Sequence, residues 1–127
     1  MKREITSDYE TNNLHTLSFI SWCDFFLNAY KQKKLMLLPD ITKVIWKMIQ
    51  EDVFNVNYSE TAFNKLINDI GYLDFYVAMY RMCYVVKQNE EEYIYNRKFE
   101  DIDNISLIGK PIYKFMHRIE EMLPYED

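Results

Sequence analysis

Ser59-Glu60-Thr61-Ala62-Phe63-Asn64-Lys65-Leu66-Ile67-Asn68-Asp69-Ile70-Gly71 is the stretch that decides the fold class. Phe63, Leu66, Ile67 and Ile70 stand at i, i+3, i+4 and i+7, the spacing that places side chains on one stripe of an α-helix. Ser59 is positioned to accept a backbone N–H of the first turn, and Gly71 supplies the residue that leaves the helix at positive φ. Such a helix has one apolar face and must bury it against neighbours.

The flanking sequence repeats the same period. Upstream, residues 14–30 read as a long helix whose polar members Ser21, Asp24 and Asn28 form a narrow stripe, leaving Phe19, Trp22, Cys23, Phe26, Leu27 and Tyr30 on the remaining surface. A stripe that narrow implies a central helix. Lys31, Lys33 and Lys34 follow it, where cations suit the negative end of the helix dipole. Pro39 is expected to stop one element and Asp40 to cap the next, which runs to about Phe54 with Ile41, Val44, Ile45, Met48 and Ile49 on one face. Trp46 lies off the centre of that face and is expected to be half exposed.

Downstream, residues 73–88 carry Leu73, Tyr76, Val77, Tyr80, Cys83, Tyr84 and Val86, with Asp74, Arg81, Lys87 and Gln88 among the few polar positions. This helix is expected to pair with the first. A last helix is expected to begin near Pro111 and to run through Ile112, Phe115, Met116, Ile119, Met122 and Leu123 to Pro124. Residues 90–108 remain ambiguous. They can continue the fourth helix, seed a short one at Phe99, Ile102 and Ile105, or form a two-stranded excursion at Tyr93 to Tyr95. The expectation is all-α, a single compact bundle of five to six helices over residues 1–127, with 1–12 as a flexible arm and 124–127 as an acidic tail.

Composition narrows the chemistry. With two glycines in 127 residues there is no Walker loop, GxGxxG, GxSxG or HExxH. His15 and His117 lack a second ligand type at i+3 or i+4, so no metal or other cofactor is expected. Cys23 and Cys83 have no CxxC spacing and sit among Trp22, Phe25, Phe26, Met82 and Tyr84, which predicts free, buried, inert thiols. That reading, with a polar N-terminus and no long apolar run, points to a reducing cytoplasmic setting and no membrane span. Amino acids written mainly with A and T in the genetic code dominate, the signature of a low-GC genome. The acid pairs Glu51-Asp52 and Asp101-x-Asp103 and the run Glu90-Glu91-Glu92 lack the spacing of a catalytic or metal pair on an apolar face.

Charge is uneven. Residues 1–89 hold ten acids and ten bases, whereas 90–127 hold ten acids and five bases, so the net charge of -5 resides in the last third. Tyrosine is the other anomaly. With Tyr58, Tyr72, Tyr76, Tyr80, Tyr84, Tyr93, Tyr95 and Tyr113 among eleven, a core cannot satisfy every hydroxyl, and some must reach the surface. Acid beside exposed tyrosine suits protein recognition. The candidate partner-binding residues are therefore Glu90, Glu91, Glu92, Tyr93, Tyr95, Phe99, Asp101 and Asp103, facing a protein with a basic surface, with no direct nucleic-acid binding.

The functional expectation is a small acidic, non-enzymatic protein that binds another protein stoichiometrically. Phages, viruses and mobile elements encode such proteins to inhibit or modulate a host factor, nucleic-acid-handling defence enzymes included, and the setting would then be the host cell. The alternatives are a self-associating structural bundle, seen as a homodimer, and a small hydrolase.

Overall fold

A computed structural model describes residues 18–91 and 102–123, with side chains from 109 onward in the second stretch. Five α-helices and no strand occur among the described residues, in agreement with the expected all-α bundle. They are α1 (residues 18–31), α2 (Leu38–Met48), α3 (Glu60–Ile70), α4 (Tyr72–Gln88) and α5 (Ile102–Met122). The proposed arm, the acidic tail and the Tyr93 to Tyr95 excursion lie outside the described residues.

α3 forms as its sequence reads. Ser59 Oγ accepts the Ala62 N–H at 3.2 Å, and Phe63 and Ile67 are buried with Leu66 and Ile70 half-buried. Gly71 adopts φ 99° and ψ 141°, a region that a side chain strongly disfavours. Its N–H donates to Ile67 at 2.7 Å and its carbonyl accepts from Phe75 at 3.1 Å, so one residue closes α3 and opens α4.

Two boundaries and one helix type differ from the sequence reading. α2 begins at Leu38 with Pro39 inside its first turn and no side-chain cap from Asp40. Proline is tolerated there because the first N–H groups of a helix have no intrahelical acceptor, so its missing donor costs nothing. α2 then passes into a π-helical turn, Ile49–Val53, closed by Phe54 N–H donating to the Ile49 carbonyl at 3.2 Å. α5 begins at Ile102, not Pro111, so Ile102 and Ile105 belong to the last helix and seed no separate one. Pro111 stands inside α5 and removes one backbone bond, to the carbonyl four residues earlier. Burial of Pro111, Ile112, Phe115 and Ile119 offsets that loss.

Trp46 organises the core. It is 8% exposed, not half exposed, and its ring meets Phe63 of α3 at 5.9 Å, Phe75 of α4 at 5.7 Å and Phe115 of α5 at 6.2 Å. A position at the margin of a helical face becomes central when three other helices converge on that margin. α1 packs against α4: Phe26 meets Tyr76, Tyr30 meets Tyr80, and Asp24 reaches Lys87. The expected α1–α4 pairing is thereby realised.

Candidate functional site

α4 is apolar around most of its circumference, and that is what builds the candidate site. Phe75, Ala78, Met79, Met82, Cys83 and Val86 are buried in the core. Leu73, Val77 and Tyr84, which the sequence groups with the helix's apolar set, instead face outward at 79%, 37% and 46% exposure. At i, i+4 and i+11 they form one stripe along the helix. A helix packed against four others still has one side left, and on α4 that side is also apolar.

Beside this stripe runs a ladder of six rings along the α1–α4 seam. Tyr72 contacts Tyr76 at 6.0 Å, Tyr76 contacts Phe26 at 6.4 Å, and Phe26 contacts Tyr30 at 6.0 Å. Tyr30 then meets Tyr80 at 4.7 Å and Tyr80 meets Tyr84 at 6.3 Å. The middle is buried or half-buried, and the ends, Tyr72 and Tyr84, are exposed. Burial pushes the Tyr76 hydroxyl pKa above the ordinary tyrosine value, with the Tyr72 hydroxyl adding to the effect. Tyr58 lies elsewhere, against Phe63, with a buried hydroxyl that has no partner among the described residues.

The residues singled out from sequence divide unevenly. Glu90 lies just beyond α4 and pairs with Lys87 at 2.5 Å, and the same ammonium stands 3.7 Å from Asp24. Glu91 is exposed. Asp103 is in α5, while Glu92, Tyr93, Tyr95, Phe99 and Asp101 lie outside the described residues. Asn89 Nδ2 donates to the Val85 carbonyl at 2.8 Å, closing α4 before Glu90. The Lys87 ion pairs therefore fix the described start of the acidic segment to the α1–α4 seam.

Both cysteines are unbonded and buried. Burial, reinforced by the adjacent Cys23, pushes the Cys83 thiol well above the usual cysteine range, which removes the thiolate that nucleophilic chemistry requires. His117 is exposed and stands 3.1 Å from Glu121 on α5. Among the described residues no group of three or more His, Cys, Asp or Glu is placed to hold a metal, and no helix is long and apolar enough to cross a membrane. No family model, curated protein or solved structure matches the chain.

The outward stripe of α4 is the feature that sequence reasoning missed. The signal was present: Phe75, Met79, Met82 and Val86 make one apolar set on α4, and Leu73, Val77 and Tyr84 make another. Periodicity alone does not choose between two apolar faces of one helix.

Proposed function

We propose that this chain acts by stoichiometric binding of a partner protein, as an inhibitor or modulator of a host factor, and that α4 presents the recognition surface. The observation that carries this reading is the outward stripe Leu73, Val77 and Tyr84, continuous with the exposed ends of the tyrosine ladder. Folded chains rarely leave contiguous apolar surface in water without use for it. Tyrosine in particular gives a large contact area with little rotamer entropy to lose, and it recurs at binding hot spots. Glu90 and Glu91 follow the C-terminal end of α4, and two acids there suit a basic partner.

Site-specific photo-crosslinking in cells of the native host tests the reading. A photoreactive phenylalanine analogue at position 77 or 84 is expected to trap one discrete adduct with another protein, and the same analogue at the exposed α3 position Lys65 to trap none. An adduct of twice the chain's mass at 77 and 84 would replace the host partner with a second copy. Equal labelling at all three positions would remove α4 as the binding surface.

A further inference from the structure

A groove on the opposite flank of α4, along its seam with α5, has a different character. Its volume is about 460 Å³, and Ala78, Met82, Val85, Pro111 and Phe115 give it an apolar floor. Arg81 rises on the α4 side, and Lys110, Lys114 and Arg118 on the α5 side. All four are exposed, and none has an ion-pair partner among the described residues. Among the described residues no acid lines the groove. In a chain with 20 acids to 15 bases, four unpaired cations around one apolar depression are a local reversal of the net charge.

We infer that this groove docks an acidic amphipathic helix of a partner protein. Lys110, Lys114 and Arg118 fall at i, i+4 and i+8, one row on α5 that runs roughly 12 Å along the groove at 1.5 Å per residue. A row of cations matches a row of carboxylates at the same spacing on another helix, whose apolar face then fills the floor. An anion with a single headgroup, such as a fatty acid, would engage one end of the row and leave the rest unpaired.

A nucleic acid fits less well. The floor has no exposed aromatic ring on which a base could stack, since Phe115 is buried. The net charge of -5 also repels a long polyanion, whereas a short acidic helix senses the local field within a Debye length of about 10 Å. The groove and the outward stripe of α4 share no residue, and the inference does not rest on the stripe's being the site of function.

The test titrates the purified full chain into a fluorescent synthetic helix of roughly 18 residues with a leucine stripe flanked by glutamates at i, i+4 and i+8. Saturable one-to-one binding that weakens with salt is expected, with a sequence-scrambled peptide of the same composition binding at least about tenfold more weakly. Lys114→Glu combined with Arg118→Glu is expected to weaken binding by about tenfold or more, because two attractive rim contacts become repulsive. Val85→Asp, which blocks the floor and leaves the cations in place, is expected to abolish it. Circular dichroism confirms that each variant folds.

Several outcomes overturn the inference. They are equal affinity for the scrambled peptide, unchanged affinity in both variants, and tighter binding of palmitate or of a single-stranded oligonucleotide that the same variants remove. If Leu73→Ser, Val77→Ser and Tyr84→Ser together abolish peptide binding while the groove variants retain it, the peptide sits on the stripe and the groove assignment fails. Loss in the groove variants alone upholds the groove whatever the crosslinking shows.

Discussion

α3 and α4 share a single residue, Gly71, and differ in how much of themselves they hide. α3 buries Phe63 and Ile67 and turns its polar residues to water, so its periodicity translates directly into its packing. α4 buries seven residues against four neighbouring helices and still exposes Leu73, Val77 and Tyr84. The difference teaches that amphipathic pattern identifies a helix with one partner face, whereas a helix apolar on nearly every side carries both core and interface. Core demand alone does not account for the apolar surplus of α4.

The largest effect expected from breaking this contrast is at the core side. Trp46→Ala removes the ring that α3, α4 and α5 share, and is expected to lower stability by roughly 3–5 kcal/mol in chemical denaturation. A loss under about 1 kcal/mol would mean that Trp46 is peripheral, as its place on the edge of the α2 face suggests from sequence.

Next is the hinge between the two helices. Gly71→Ala introduces no clash, because nothing lies within 4 Å of the added Cβ, so its cost isolates the backbone. At φ 99° roughly 1–2 kcal/mol is expected from thermal unfolding. Ser59→Ala, which deletes the cap on Ala62, is expected to cost about 1 kcal/mol. Neutral behaviour of both would show that the α3–α4 junction is not fixed by its local signals.

How much of this was legible follows the same contrast. The cap at Ser59, the positive φ of Gly71, the face of α3 and the α1–α4 pairing could be read directly, because each depends on residues close in sequence or on a single stripe. Trp46 could not, since its burial depends on where three other helices arrive. Pro39 and Pro111 misled for one reason: proline restricts a helix without dictating where it starts. Lys110, Lys114 and Arg118 were hidden by averaging, as net charge over residues 90–127 is acidic while those three share a row. The acidic segment was legible as a candidate, and of it the structure describes Glu90 paired with Lys87 at the α1–α4 seam, Glu91 exposed beside it in sequence, and Asp103 in α5.

A smaller effect tests the link between α2 and the start of α3. Lys43 Nζ lies 2.6 Å from Glu60 Oε1, and this hydrogen bond holds the Glu60 carboxyl below its ordinary pKa and the Lys43 ammonium above its own. A lowered carboxylate stabilises the fold above its unfolded pKa, and that contribution is lost as pH falls through the folded value. The raised lysine contributes fully below its unfolded pKa and loses its contribution as pH rises through the folded value. The Tm difference between the parent chain and Glu60→Gln is therefore expected to be greatest near neutral pH and to shrink in acid and at high salt. A difference independent of pH would show that the pair adds nothing by charge.

The central claim is that the outward stripe of α4 serves recognition and is dispensable for folding, and the most direct measurement is the thermal and denaturant stability of a triple variant, Leu73→Ser, Val77→Ser and Tyr84→Ser. Substitutions at exposed positions usually change stability by no more than about 0.5 kcal/mol each, so a Tm close to that of the parent chain is predicted, with an unchanged helical spectrum. A loss of more than about 3 kcal/mol would contradict the claim, because it would show that the folded chain itself already covers the stripe.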